Sequence, residues 1–181
     1  DLDIQNGKIK DFKFTLLPIF SDLFPENKEM KKYIEDVRLP FLKELTREIA
    51  TTDTTLFRRG NFNGSWDQII CDALLEVKEA QISLSPGFRW GTSVMPNQTI
   101  TFDDLMTQTA MTYPETYARD IKGSEIKLIL EDVADNLFNE DPFLQQGGDM
   151  VRTGGISYKI DPKAKIGERI TNIVLSKTGE K

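Results

Sequence analysis

The 181-residue chain contains no histidine and a single cysteine. Imidazole is the usual general base near neutral pH and the commonest metal ligand, so a Ser-His-Asp triad and a His-ligated zinc or dimetal centre are excluded within these residues. One thiol excludes thiolate zinc sites and internal disulfides. Long hydrophobic runs are also missing: none approaches the roughly 18 residues a membrane helix needs, and the N-terminal Asp-Leu-Asp-Ile has neither the basic nor the apolar region of a signal peptide. Positive charge is scarce, with 23 Lys and Arg against 29 Asp and Glu and a formal net charge of −6. Duplex nucleic acid or an anionic membrane would be repelled by the average surface, so neither is expected as the main partner. Chemistry, where present, falls to carboxylates, Arg, Lys, Tyr or a second polypeptide, and any anion has to be caught by a local basic cluster. What remains is ordinary globular composition, 39% hydrophobic and 29% charged. At this length a folded chain hides roughly 70% of the surface its unfolded form exposes, enough for one good core or a domain with an appendage. The chain reads as soluble, and as a candidate piece of something longer.

Residues 2–17 alternate around Asn6-Gly7, with Leu2 and Ile4 before and Phe12, Phe14 and Leu16 after. Asn-Gly between alternating runs predicts a hairpin, because both residues tolerate positive φ in a type I′ turn. A lone hairpin is marginal in water, so its aromatic face needs another surface. Residues 18–26 carry two prolines and break regular structure. From Asn27 as N-cap, Met30, Ile34, Val37, Phe41, Leu45 and Ile49 recur at helical spacing and predict a helix to about residue 50. Pro40 interrupts its hydrogen bonding, which predicts a kink near residues 36–39 and a bent connector between two bodies.

Further on, residues 56–59 are expected as a short strand and 60–64 as a loop. Ser65-x-x-Gln68 matches a capping box, opening a helix to about Lys78 with Ile69, Ile70, Ala73, Leu74 and Val77 on its buried face. Residues 80–84 read as a strand, and Thr101 caps a short helix through Gln108. Residues 111–121 read as extended, and Gly123-Ser124 opens a helix with the apolar face Ile126, Ile129, Leu130, Val133 and Leu137. A Gly-rich loop at 147–155 precedes strands at 156–160 and 169–175. The expected fold class is α+β, a mixed β-sheet with packed helices.

Two loops stand out chemically. SPGFRWGTS, residues 85–93, combines glycines that allow close backbone approach with Arg89, whose planar fork of donors suits an anionic oxyacid. The plain alternative is a surface turn in which Arg89 stacks on Trp90 or Phe88. QQGGDMVRTGG, residues 145–155, carries Asp149 and Arg152 but lacks the ending of a P-loop and does not match GxGxxG. Standing alone it reads as a wide flexible turn with a solvated arginine. Arg58-Arg59, before the GNFNG loop, is a third basic point, and three arginine-bearing loops can converge on one anion. Glu131, Asp132 and Asp135 sit at helical spacing as a solvated acidic face, and Asp103-Asp104 serve a helix N-terminus. Cys71 reads as a buried inert thiol, since no histidine activates it.

Three long strings, RRGNFNGSWDQIICDALLEVKEAQISLSPGFRWGTS, MTQTAMTYPETYARDIKGSEIKLILEDVADNLF and DPFLQQGGDMVRTGGISYKIDP, together resemble the SoxB thiosulfohydrolase (sulfate thiol esterase) family of the periplasmic thiosulfate-oxidising Sox system. More distantly, residues 66–138 look like the C-terminal domain of the 5′-nucleotidases. The resemblance implies that residues 1–26 are the tail of a metallophosphoesterase domain, 27–50 an interdomain connector helix, and 51–181 a substrate-recognition domain truncated at its C-terminal end. Two manganese ions are then expected on His, Asp and Asn of that preceding domain, with no metal, cofactor or catalytic residue in this chain. The implied reaction is hydrolysis of a cysteine S-thiosulfonate on the carrier complex SoxYZ, releasing sulfate. Metal-activated water would attack sulfur while arginines hold the sulfonate oxygens. Where nucleotidases carry N-G-G-G-I-R, this chain has Ser85-Pro86-Gly87-Phe88-Arg89, and the nucleobase-holding P-F-G-N segment aligns with Tyr113-Pro114-Glu115. The implied substrate-binding residues are Arg89, Tyr113 and Arg152, then Trp90 and Asn63. The alternatives are the recognition domain of a 5′-nucleotidase-type phosphoesterase and a non-catalytic module binding an anion or a partner.

Overall fold

The computed structural model describes residues 1–20, 22–87, 91–109 and 115–180. It divides into two compact units, Asp1–Lys43 and Glu44–Lys181. The first opens with the expected hairpin. Strands β1 (Leu2–Gln5) and β2 (Lys8–Phe12) pair antiparallel, with Leu2 opposite Phe12 and Gln5 opposite Lys8. Asn6 and Gly7 take φ of 54° and 73°, as a two-residue turn matched to the strand twist requires. Helix α1 (Lys28–Arg38) begins where Asn27 Oδ1 accepts from the Met30 N–H at 2.9 Å.

Pro40 does more than kink this helix. Residues Leu39–Phe41 form one 3₁₀ turn, a four-residue helix α2 (Leu42–Leu45) follows, and Glu48–Thr51 is strand β3. The expected helix to residue 50 is therefore too long. Leu45 and Ile49 are four apart, an even spacing that suits a strand as well as a helix, and β-branched Ile49 and Thr51 favour the strand. Throughout the first unit every described side chain except Arg38 is exposed, including Phe12, Phe14, Phe20, Phe24 and Phe41.

The second unit alternates short antiparallel ribbons with helices. Strand β3 pairs with β5 (Thr99–Thr101), β4 (Ser83–Ser85) with β6 (Arg152–Gly154), and β7 (Ile156–Ile160) with β8 (Ile170–Leu175). The α+β class with packed helices holds, and among the described residues the strands pair as two-stranded antiparallel ribbons where a mixed sheet was expected. Leu56 makes a single bridge to Val94 in place of a strand at 56–59.

Helix α3 (Ser65–Lys78) starts one residue earlier than its Ser-x-x-Gln signature indicates. Gly64 is the cap, and its N–H donates to Asp67 Oδ2 at 2.8 Å. Ser65 Oγ is committed outside the helix, accepting from Phe57 N and donating to Thr55 O. The buried face turns with it: Trp66, Asp67 and Cys71 are inside, whereas Ile69, Ala73 and Val77 are exposed. Helix α4 (Phe102–Thr109) is capped by Thr101, which exchanges hydrogen bonds with Asp104. Helix α5 (Gly123–Phe138) is closed at its start by Glu125, which accepts from Lys122 N.

Two apolar clusters hold this unit. Ile126, Leu130 and Ala134, one turn apart on α5, pack with Met150, Ile156 and Ile170; Leu56, Trp66, Val94 and Ile100 form the other. Each fully buried aliphatic side chain contributes about 1.5–3 kcal/mol relative to exposure. The acidic face expected on α5 is only partly solvated. Glu131 is buried, its carboxylate accepting from the N–H groups of Gly167 (2.9 Å), Arg169 (3.3 Å) and Ile170 (2.7 Å). Asp135 pairs with Arg169 Nη1 at 2.5 Å. Together these carboxylates dock the start of β8 on α5, a role that apolar periodicity does not reveal.

Candidate functional site

The β4–β6 ribbon places two glycine-rich loops side by side. Ser85 lies opposite Arg152, so the chain leaving β4 at Pro86-Gly87 runs along the chain entering β6 at Asp149-Met150. A Cβ on Gly87 would come within 2.6 Å of Asp149 Cβ and 2.7 Å of the Met150 carbonyl. Glycine is needed there because only its bare backbone can approach this closely. The GNFNG loop completes the group. Asn61 O accepts from Met150 N at 3.0 Å, and the Asn63 amide pairs with Thr153 in both directions, Nδ2 to Thr153 O at 2.9 Å and Thr153 N to Oδ1 at 3.1 Å. Asn63 thus stands in for a neighbouring strand on the open edge of β6.

Behind these loops lies a buried ionic network. Asp67, at the start of α3, receives Arg58 Nε on Oδ1 at 2.6 Å, while Arg152 Nε lies 3.3 Å from Oδ2. Arg152 Nη2 also donates to Gly60 O at 2.8 Å and Asp149 Oδ2 at 3.5 Å. Arg58 reaches two further elements, with Nη1 on Gln108 O at 2.6 Å and Nη2 on Pro86 O at 3.0 Å. Gln108 Nε2 in turn donates to Thr92 O at 2.7 Å, and Gly91, at φ 101°, packs on the same carboxamide. The Asp67 and Arg152 side chains have no exposed surface and Arg58 has 1%. Two arginines against Asp67 and Asp149 give formal balance.

The sequence-derived site residues fall into three groups. Arg89, Trp90 and Tyr113 lie outside the described residues. Arg152, expected on a channel wall, is inside the protein, because Asp67, Asp149 and the Gly60 carbonyl offer its guanidinium partners there. Asn63 is at the exposed rim, with its amide committed to Thr153. Two of the three basic points do converge, Arg58 and Arg152, but on the internal carboxylate of Asp67. Arg59, next to Arg58, is exposed.

Sequence reading missed Asp67 and Gln108. The signal for Asp67 was present as an acidic residue three positions after Gly64, but Ser65 and Gln68 offered a competing frame. Gln108 carried no signal at all. Cys71 is buried as expected, and burial pushes its thiol upward from the ordinary range.

A metal centre does not fit this chain's described residues. No group of three or more His, Cys, Asp or Glu side chains gathers among them, and the buried carboxylates are committed to arginines or backbone N–H groups. What the described residues present is a group of backbone loops held together from beneath by a buried, charge-balanced network. Among the described residues no helix is long and apolar enough to cross a membrane.

The solved structures that this chain resembles include a Thermus thermophilus sulfate thiohydrolase, SoxB, in complex with glycerol, with 35% identity and a TM-score of 0.86 over 99% of this chain. A 5′-nucleotidase precursor, also from Thermus thermophilus, shares 18% identity over 98% of the chain with a TM-score of 0.69. A putative 5′-nucleotidase from Staphylococcus aureus shares 17% over 90% with a TM-score of 0.61. These last two likenesses concern the fold alone. The chain spans about a third of the length of each, 33%, 35% and 34%. No curated protein matches it. The model of the 5′-nucleotidase C-terminal domain matches residues 45–181, beginning within α2 and ending with the chain, and the chain therefore belongs to that family.

Proposed function

We propose that this chain is the substrate-recognition part of a periplasmic thiosulfohydrolase of the SoxB kind. One observation carries the reading: identity is 35% over 99% of the chain with a sulfate thiohydrolase, against 18% and 17% with two nucleotidases of the same fold. In the proposed reaction water adds its oxygen to the terminal sulfur of a cysteine S-thiosulfonate on SoxYZ. The sulfur–sulfur bond breaks, sulfate leaves, and the persulfide stays on the carrier. In this reading the sulfonate oxygens are held through Arg89, with Tyr113 and Trp90 as further substrate-binding residues and Asn63 at the exposed rim. The Arg152 network acts underneath. The metal chemistry, with two manganese ions, is assigned to a preceding domain. The many exposed apolar side chains of Asp1–Lys43, among them Phe12, Phe14, Phe20, Phe24 and Phe41, support such a neighbour, since large apolar surface left in water commonly marks an interaction site.

The test uses the full-length protein. Sulfate release from thiosulfonate-loaded SoxYZ is expected, with no phosphate released from AMP. Arg89→Met should raise KM about 10- to 100-fold, the equivalent of one charge-assisted hydrogen bond of roughly 1.5–3 kcal/mol. AMP hydrolysis without sulfate release would overturn the assignment in favour of a nucleotidase, and binding of the carrier without turnover in favour of a non-catalytic module.

A further inference from the structure

Of the chain's asparagines, only Asn6 and Asn63 are followed by glycine. In an Asn-Gly pair no side chain shields the glycine nitrogen. It can attack the asparagine Cγ, expel ammonia and close a succinimide, which water then opens to aspartate or isoaspartate. The fold gives the two pairs opposite surroundings. Asn63 is held at both ends of its amide, Nδ2 donating to Thr153 O at 2.9 Å and Oδ1 accepting from Thr153 N at 3.1 Å. The nitrogen that would attack, Gly64 N, is committed to Asp67 Oδ2 at 2.8 Å. Gly64 is packed so closely that a Cβ there would collide with the Phe57 carbonyl oxygen. Asn6 has none of these restraints. It is exposed in the turn between β1 and β2, and a Cβ on Gly7 would meet nothing within 4 Å. Among the described residues neither the Asn6 amide nor the Gly7 N–H is hydrogen-bonded. Ring closure swings the Gly7 nitrogen toward the Asn6 side chain and takes the pair out of its turn conformation. That opening is easy, because a two-stranded hairpin is marginal in water and no side chain from Asp1 to Phe20 is buried. The turn from Gln5 to Lys8 also carries no apolar side chain for a neighbouring surface to cover.

We propose that Asn6 is a site of spontaneous deamidation and backbone isomerisation in the native protein, and that the fold protects Asn63, whose conversion marks an opened β6 edge. Water is the only co-reactant. The Gly7 nitrogen gives up its proton to solvent and bonds to Asn6 Cγ, the bond from Cγ to Nδ2 breaks, and ammonia leaves with a proton. Water then adds to either carbonyl of the ring and splits the adjoining bond to nitrogen. Either product makes the formal net charge one unit more negative than −6. Isoaspartate also lengthens the main chain inside a two-residue turn, so Gln5 loses its place opposite Lys8. At Asn63 the same change would set a carboxylate oxygen against the Thr153 carbonyl where an N–H now donates. The inference is independent of the function assigned above.

The experiment ages the full-length wild-type protein at mildly alkaline pH in water enriched in heavy oxygen, once folded and once in guanidinium chloride. Rapid digestion at acidic pH and peptide mass spectrometry then follow both Asn-Gly pairs in the same sample. Label in the product separates conversion during ageing from conversion during digestion, and chromatographic retention separates aspartate from isoaspartate. In the folded protein Asn6 should convert at a rate within about tenfold of that in the unfolded chain, since its hairpin opens readily. Asn63 should convert at least about tenfold more slowly than Asn6, because three hydrogen bonds, one of them to a buried carboxylate, must open first. In guanidinium chloride the two pairs should react alike. A native Asn6 that stays unconverted, or an Asn63 that keeps pace with it, overturns the proposal. So does a difference that persists in the unfolded chain, since it would then belong to the neighbouring sequence and not to the fold.

Discussion

Replacing Asp67 by asparagine removes one charge from the buried network and almost nothing else. The side chains are isosteric, and the amide oxygen can still accept from Gly64 N, so the cap on α3 survives. What is lost is the anion facing Arg58 Nε at 2.6 Å and Arg152 Nε at 3.3 Å, in a place where neither Asp67 nor Arg152 has exposed surface. Breaking a buried ion pair by removing one partner costs about 3–5 kcal/mol, because the remaining charge is stranded away from water. Here the excess is a full positive charge, with Asp149 the remaining counterion. At about 2–4 °C per kcal/mol for a protein of this size, the midpoint of thermal unfolding should fall by roughly 6–20 °C. Circular dichroism at 222 nm, followed through a thermal ramp and repeated in urea, measures both quantities. A quadruple variant with Asp67→Leu, Arg58→Met, Arg152→Met and Asp149→Asn should regain part of the loss, since all four charges of the network are then removed together and none is left stranded. A midpoint shift below about 2 °C for Asp67→Asn would refute the claim that the network is held together by that carboxylate.

Two other perturbations test the attachment of β8 to α5. Glu131→Ala, which leaves the N–H groups of Gly167, Arg169 and Ile170 without their acceptor, should destabilise by about 2–4 kcal/mol, and Glu131→Gln by about 1–2, read from urea midpoints at constant slope. Hydrogen bonding from Arg169, and then from Asn139, holds the Asp135 carboxyl below the usual carboxylate range. A carboxyl with a depressed folded-state pKa binds its proton more weakly when folded, so its contribution is present above the unfolded value of about 3.9 and is lost as pH falls through and below it. Stability measured from pH 6 down to pH 3 should therefore decline more gently in Asp135→Asn than in wild type, and parallel curves would refute the pairing.

The sequence announced the hairpin and α5 because each carries a signal longer than its own noise. Asn6-Gly7 admits positive φ at two successive positions, and Ile126, Leu130 and Ala134 repeat over three turns. Strands β4, β5 and β6 are three residues each, too short to display a period, and β6 hid inside what reads as a Gly-rich loop. Its glycine at 154 serves a different end, letting the ribbon lie against Cys71 and Ser83. Buried charge was the systematic blind spot. Glu131 and Arg152 look solvated to any method that weighs apolar spacing, since their partners are far along the chain, Ile170 being 39 positions from Glu131 and Gly60 being 92 from Arg152. The loops around Arg58 and Arg152 were nevertheless noticeable, because glycine beside arginine is a local signature, whereas their meeting around Asp67 is a property of the fold.

That meeting bears on where anion selectivity originates. A net charge of −6 would repel the anionic substrate of the proposed function at long range, and the Arg58 and Arg152 charges are offset locally by Asp67 and Asp149. The interior network is therefore electrically close to neutral and contributes shape, not attraction. Under the proposed function, attraction comes from arginines outside the network, with Arg89 in the 85–93 sequence and exposed Arg59 beside the GNFNG loop as the candidates. Separating the two tasks has a physical advantage. Arg58 is satisfied from within, by Asp67, the Gln108 carbonyl and the Pro86 carbonyl, and so needs no ligand to complete its hydrogen bonds. Under the proposed function, a Pro86 root held in this way lowers the ordering cost of binding, so arginines outside the network are free to interact with the substrate.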